Sequence, residues 1–225
     1  MNDLHTHALP DIDDGAKTLE MAAQMLEESY RQGVRVCALT PHCTIHNEQA
    51  LPRFLAKRQT AYENLKEYLK NRQVPKLVLG AEVYTDHDLS QHEGISDLSI
   101  GRSSYILLEL PFASKYEWIA ECVYSLNLMG LTVIIAHLDR YSAWKSIMEA
   151  LAGLKVVYEL SSSSFLTFFG RRLVKKIIQR NAKFIISSDM HNTTTRKCQL
   201  KDAFKKARKI NPEFADKCLS EITII

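Results

Sequence analysis

Apolar residues along this chain fall in short runs, separated by longer stretches of helical spacing. Asn2 to His7 reads as a short first strand. Thr18 predicts a helix N-cap, Glu20 lies in the first turn, and Gly33 is the stop after about Gln32. Within that span Leu19, Ala22, Ala23, Leu26 and Tyr30 make one apolar stripe. The run Val34 to Thr40 predicts a second strand, closed by Pro41 and His42, and a long helix follows from roughly Ala50 to Arg72. Further strands are expected at Leu77–Tyr84, Tyr105–Pro111, Leu131–His137, Lys155–Leu160 and Lys183–Asp189. The helices between them are expected near 115–129, 142–152 and 171–180, with Gly130 and Gly153 ending the first two, and the chain from about Arg196 reads as helix.

These strands are nearly continuous apolar runs, the pattern of a sheet covered on both faces. Strand and helix alternate from end to end, which implies right-handed crossovers and a parallel sheet. Seven such units suggest a barrel with one unit missing, and an open doubly wound sheet is the other option. No linker, repeat or low-complexity tract interrupts the chain, so a single domain over residues 1–225 is expected. The segment His87 to Arg102 has few apolar anchors and is expected to be a loop near the site.

Composition narrows the class. The 225 residues are 46% hydrophobic and 24% charged, enough for a sizeable core. A net charge of +3 gives only a weak bias toward anionic substrates. The basic run Lys201 to Lys209 reads as a solvated helix face, and no aromatics interleave it, so nucleic acid is not an expected partner. Cys37, Cys43, Cys122, Cys198 and Cys218 are odd in number and contain no C-x-x-C pair, which points to a reducing compartment. Neither a signal peptide nor an apolar run of membrane-spanning length is visible, so the expectation is a cytoplasmic protein without membrane insertion.

The candidate chemistry lies at the strand ends. His5 and His7 are two apart and project from one face of an extended strand, where two imidazoles can grip one ion. Pro10 turns the chain, Asp11, Asp13 and Asp14 follow, and Gly15 gives the backbone room to bend. The second strand ends near His42, the third carries Glu82, the fourth Glu109 and the fifth His137. The seventh ends at Asp189, with His191 two residues on. Each alone would pass for a hydrogen-bonded polar residue. Together they put metal-competent side chains at the end of the sheet where parallel α/β proteins build their sites. Carboxylates converging inside an apolar sheet would repel one another without a cation, so a multi-metal site is expected. Mixed imidazole and carboxylate donors suit Mn, Fe or Zn. Position six after each cysteine holds Cys43, Gln49, Leu128, Phe204 or Ile224, never Arg. That excludes the C-x₅-R device of cysteine-dependent tyrosine phosphatases and leaves Cys43 as a small packed residue.

The segments Leu4–Ala16, Thr40–His42, Gly80–Glu82, Leu107–Phe112, Ala136–Tyr141 and Ser188–Asn192 resemble the polymerase and histidinol phosphatase (PHP) superfamily. Within it they are similar to the manganese-dependent bacterial tyrosine phosphatases of capsule and exopolysaccharide operons. The resemblance spans nearly the whole chain and implies an α/β fold, a distorted (β/α)7 TIM-like barrel. It implies His5, His7, Asp14, His42, Glu82, Glu109, His137, Asp189 and His191 as ligands of three ions, with Glu82 as a bridge. The ions are expected to be Mn2+, with Fe, Zn, Mg or Co as alternatives. Arg140 and Arg196 would bind phosphate, Arg196 from the start of the last helix. The substrate implied is the phosphotyrosine tail of a bacterial tyrosine kinase. A small phosphomonoester such as histidinol phosphate, and a catalytically weak module that docks on the kinase, are the competing readings. Leu138 and Asp139 stand where the family has Pro and Glu, which bears on the substrate fit around Arg140. Glu159, Ser161 and Ser162 stand where the family tends to have Asn.

Overall fold

All strand pairs run parallel in the computed structural model, which describes residues 1–112 and 117–220. In chain order the elements are β1 (Asn2–Asp3), α1 (Leu19–Arg31), β2 (Val36–Leu39), β3 (His42–Thr44), α2 (Ala50–Tyr68), β4 (Lys76–Leu79) and β5 (Glu82–Tyr84). There follow β6 (Tyr105–Glu109), α3 (Glu117–Leu128), β7 (Thr132–Ile135), α4 (Trp144–Ala150), β8 (Val156–Ser161), α5 (Phe168–Ile177), β9 (Lys183–Ser187), α6 (Leu200–Ile210) and α7 (Pro212–Ser220). The expected helix start near Lys115 and the end of the chain after 220 lie outside the described residues.

Two of the expected strands are broken. The second stops at Leu39 and resumes as β3 at His42, because Pro41 has no N–H to give the ladder. The third divides at Gly80–Ala81 into β4 and β5. A Cβ on Gly80 would lie 3.1 Å from Thr40 Cγ2 and 3.2 Å from Ile100 Cγ1, so the two breaks pack on each other. The strands therefore group as β1-β2-β4 and β3-β5-β6-β7-β8-β9. Hydrogen bonds Thr40 N–H to Thr6 O (2.9 Å) and Glu82 N–H to Pro41 O (3.1 Å) carry the pairing through the breaks. Beyond β9, Asp189 N–H donates to His5 O and His7 N–H to Met190 O, both at 2.9 Å, and a parallel bridge joins Thr6 to Met190. The last strand thus returns to the first.

Side chains alternate across this sheet. Ala38, Leu107, Ile134, Val157 and Ile185 share an inner cluster, whereas their neighbours Leu39, Leu108, Ile135, Tyr158 and Ile186 pack under the helices. The period of two then positions the site. Glu109 follows Leu107 on the inner face, and Glu159 follows Val157. Four residues on, the same parity carries Ala38 to His42, Val78 to Glu82 and Ile185 to Asp189.

The remaining differences are local. Thr167 caps α5 by accepting from Gly170 N–H at 3.1 Å, so this helix starts three residues before Arg171. The expected final helix is two, α6 and α7, with Pro212 opening the second, where its missing N–H costs nothing. The segment 87–102 is anchored after all, by buried Leu89, Ile95 and Leu98 on two short 3-10 turns.

Gly15 is the tightest point near the site. A Cβ there would fall 2.0 Å from His7 O and 2.5 Å from His7 Cβ. Gly15→Ala should therefore push the His7 backbone and destabilise the fold by roughly 1–3 kcal/mol, read by urea unfolding. An unchanged midpoint would show that the turn yields.

Candidate metal centre

His5 and His7 are fixed through the residue between them. Thr6 Oγ1 donates to Ala38 O at 2.6 Å, and Thr6 N–H donates to Thr40 Oγ1 at 2.9 Å. Each imidazole then has a carboxylate behind it. His5 Nδ1 lies 2.9 Å from Glu159 Oε2, and His7 Nδ1 lies 2.6 Å from Asp13 Oδ2. In the neutral imidazoles these partners would hold the proton on Nδ1 and leave each Nε2 lone pair facing inward. The two Nε2 atoms meet at 3.1 Å. Asp13 also accepts from Gly15 N–H (2.9 Å) and His42 N–H (3.0 Å), so one carboxylate organises the whole first turn.

Glu82 is the hub. Its Oε2 lies 2.8 Å from His42 Nδ1, 3.2 Å from His5 Nε2 and 3.3 Å from His7 Nε2, and its Oε1 lies 3.0 Å from His137 Nε2. Buried Oε2 makes no hydrogen bond despite these approaches, and neither does His191 Nε2. Donor atoms that converge without hydrogen-bond geometry fit a shared cation better than they fit one another. Three overlapping sets have ligand atoms within 4.8 Å of one another: His7, Asp14, His42 and His191; His5, His7 and Asp189; and His42, Glu82 and Glu109. His137 Nε2 joins the last set at 3.6 Å from Glu109 Oε1. All nine residues expected as ligands therefore meet. Most are buried, while Asp14 and His42 form the solvent lip.

The electrostatics describe a cluster bound by opposite charges. Burial works against a charged His5, but Glu159, Glu82 and Asp189 outweigh it and hold the imidazole well above its ordinary range. Burial likewise opposes protonation of His7, and the bonds to Asp13, Asp189 and Glu82 still raise it to about 10. Glu82 and Asp189 are held well below the usual carboxylate range, their desolvation overcome by the imidazoles and, for Asp189, by Arg140 too. Burial and then the Glu82 charge push Glu109 up. Burial and the neighbouring His7 charge push His191 down to about 4.

Backbone strain collects here. His137 has φ 34° and Asp189 φ 51°, left-handed values that few non-glycine residues adopt. The kink at His137 starts a 3-10 turn, Leu138–Arg140. Asp139 fastens that turn, accepting from Ser161 N–H at 2.8 Å and Ser164 Oγ at 2.5 Å, while Leu138 is fully buried. The departures from Pro and Glu therefore leave Arg140 anchored. It donates to Asp189 Oδ2, and Arg196 donates to both Asp189 oxygens at 3.0 and 2.9 Å. Arg196 precedes α6 rather than starting it. It sits in a loop closed by His191 N–H to Arg196 O (2.8 Å) and Arg196 N–H to Asn192 Oδ1 (2.9 Å). Asp13, Glu159 and Asp139, the residues that orient the centre, were not among the expected site residues. Glu159 carried a usable signal, an isolated carboxylate in a strand buried at every position. Cys43 is buried, and burial, little offset by Arg58, pushes its thiol up to about 12.

Ion binding must displace protons from this cluster. Below about pH 10 the metal-stripped protein keeps His7 charged, so metal and proton compete and affinity should rise as pH rises toward that value. Titrating Mn2+ at pH 7.5 in buffers of different ionisation enthalpy should reveal net proton release. A buffer-independent heat would mean the imidazoles are already neutral.

The chain is similar to known proteins over nearly its whole length. A family model described as "Capsular polysaccharide synthesis, CpsB/CapC" matches residues 1–224. The chain is 29% identical to tyrosine-protein phosphatase YwqE of Bacillus subtilis, over 90% of this chain and 82% of that one. It is 30% identical to a putative tyrosine-protein phosphatase CapC of Staphylococcus aureus, over 91% and 82%. In three dimensions it resembles a crystal structure from work on YwqE of Bacillus subtilis and CpsB of Streptococcus pneumoniae, described as unique metal-dependent tyrosine phosphatases. That match has TM-score 0.81 and 26% identity, over 100% of this chain and 96% of the other. A TatD-family hydrolase from Entamoeba histolytica shares the fold, with TM-score 0.55 and 14% identity.

Proposed function

This chain belongs to the capsular polysaccharide synthesis CpsB/CapC family, and from that premise we propose that it is a metal-dependent protein-tyrosine phosphatase. The observation that carries the reading is Glu82 among four imidazoles, with Arg140 and Arg196 beside it on Asp189. We read the returning ring of strands as a distorted (β/α)7 barrel of the PHP type in one domain. His5, His7, Asp14, His42, Glu82, Glu109, His137, Asp189 and His191 would hold the ions. The imidazole-rich donor set favours Mn2+, Fe or Zn over Mg, and the three overlapping ligand sets favour three ions. Ions bound there would supply Lewis acidity and activate water near neutral pH.

The chain's own residues do the rest. Arg140 and Arg196 stand at the mouth, partly exposed, with planar forks suited to phosphoryl oxygens. Phe112 is 58% exposed, and its ring stacks on His137 (6.2 Å between centroids) and Tyr141 (5.0 Å). It offers a flat apolar wall to a phenyl ring beside the phosphate site. A phenolate of parent pKa about 10 leaves with modest help, so no strong general acid is needed. The family's role in capsule synthesis supports a substrate on the tyrosine-rich tail of a bacterial kinase that controls polysaccharide export, and a cytoplasmic setting. Among the described residues no helix is long and apolar enough to cross a membrane.

The purified protein should hydrolyse a phosphotyrosyl peptide far better than histidinol phosphate. EDTA should abolish turnover, Mn2+ restore it, and thiol alkylation do little. Phe112→Ala should narrow the preference for the aromatic substrate. A preference for histidinol phosphate would favour the small-metabolite reading, and no turnover with the metals bound would favour a docking module.

Arg140→Ala should keep the fold and the full metal content and lose roughly 10²–10³ in kcat/KM, the loss of a charge-assisted bidentate contact. Arg140→Lys should recover part of it. Near wild-type kcat/KM for Arg140→Ala would assign the phosphate to Arg196 and the ions.

A further inference from the structure

Phe168 and Phe169 open α5 with side chains 67% and 81% exposed, and among the exposed large hydrophobics of the described residues only Leu128, at 72%, stands between them. Their rings meet edge to face, 5.5 Å between centroids and 82° between planes, and stand clear of the core. The opposite side of the same helix is buried through Val174 and Ile177. Two protruding aromatic rings in water need an explanation that stability does not supply.

The charge around them gives one. From Leu160 to Ser188 the chain has no acidic residue and six basic ones, Arg171, Arg172, Lys175, Lys176, Arg180 and Lys183. Arg171 is turned to the backbone carbonyls of Phe165 and Leu166. Arg172, Lys175 and Lys176 are exposed and make no ion pair with the described residues. At helical spacing Phe169, Arg172 and Lys176 form one outward stripe, three and then four residues apart. Aromatic rings at one end and unpaired cations along the same face suit an interface that is apolar inside and anionic outside.

We propose that the exposed face of α5 is a peripheral docking surface for an anionic membrane. The rings enter the headgroup boundary and Arg172, Lys175 and Lys176 face lipid phosphates. A bilayer accepts protruding rings in any register, whereas a protein partner would need a pocket cut to both. The contact lies on the membrane and does not span it, since α5 covers only Phe168–Ile177 and its inner face belongs to the core. The location gives the contact a consequence. α5 follows the C-terminal end of β8 through the 3-10 turn Ser162–Phe165 and packs on the turn that carries Arg140. Docking there holds the mouth of the metal centre close to the lipid surface.

The test is flotation of the full, Mn2+-loaded chain with vesicles of phosphatidylcholine alone or of equal parts phosphatidylcholine and phosphatidylglycerol. Binding is expected to the anionic vesicles only, and to weaken with salt. Phe168→Ser/Phe169→Ser should lower partitioning by at least about tenfold. Arg172→Ser/Lys176→Ser should lower it by about twentyfold, near fivefold per charge. Both variants should keep wild-type turnover of a small aryl phosphate without vesicles, which reports an intact fold. The charge variant leaves the rings in place, so it stands as an independent test if the first does not fold. Failure of the wild-type chain to bind anionic vesicles would overturn the proposal. So would unchanged vesicle binding in the ring variant, including the case where that variant instead loses affinity for an acidic phosphopeptide.

Discussion

The structure turns on one constraint: carboxylates and imidazoles are gathered at close range inside a buried sheet, where each charge has to be met by an opposite one. Glu82, Asp189 and Glu159 are almost fully buried within a few ångströms of His5 and His7. An isolated buried carboxylate would take up a proton rather than stay charged. Here two of them are held well below their usual range, which requires positive charge in their midst. Protonated imidazoles can provide it in part, at the expense of their lone pairs. Divalent ions provide it while using those lone pairs. The arrangement favours the second solution, since Glu82 Oε2 and His191 Nε2 approach their neighbours without hydrogen bonding to them.

Much of the rest follows from holding that cluster at one height above the inner core. The breaks at Thr40–Pro41 and Gly80–Ala81 let β3 and β5 restart, with His42 directly paired to Glu82. The left-handed turns at His137 and Asp189 end their strands abruptly and aim both side chains inward. Strain of this kind persists only where surrounding contacts over-determine it. Asp139 and the Tyr141 hydroxyl, bonded to Leu110, supply such contacts on the His137 side.

The convergence of these side chains was legible in the sequence because strand periodicity is local. A carboxylate two or four residues beyond an inward aliphatic must share its face, and the apolar runs marked the strands well enough to count from. The residues that orient His5 and His7 were not legible in that way. Glu159 serves His5 across 154 positions of chain, and nothing near either residue announces the pairing. Asp13 could be seen as one of three nearby carboxylates, but which would face His7 depends on the close approach of Gly15 to that residue. The strand breaks were half visible: Pro41 marks one, whereas Gly80 becomes a break only because Thr40 and Ile100 crowd it. Helix ends set by a cap or a stop, such as Thr18 and Gly33, fell within a residue of their places. The helix expected from Arg196 begins only at Leu200, because Asn192 Oδ1 accepts the Thr194 and Arg196 amides and closes a loop first.

The two arginines tie a further pair of charges to the same cluster. Both guanidinium groups answer to Asp189, a residue that is also within 3.6 Å of His5 and 3.4 Å of His7. One carboxylate cannot satisfy two guanidinium groups and an ion equally. Whatever cation takes more of Asp189 leaves Arg140 and Arg196 less committed and more available to an anion at the mouth. The arginines are thus set by the same carboxylate that lies against His5 and His7, and any affinity they have for an anion would depend on what else Asp189 meets. A positively charged fork pinned to such a carboxylate would be released when the carboxylate's charge is met from the other side. This coupling needs no movement of a loop or domain, only the redistribution of hydrogen bonds around one side chain whose backbone is already held in place.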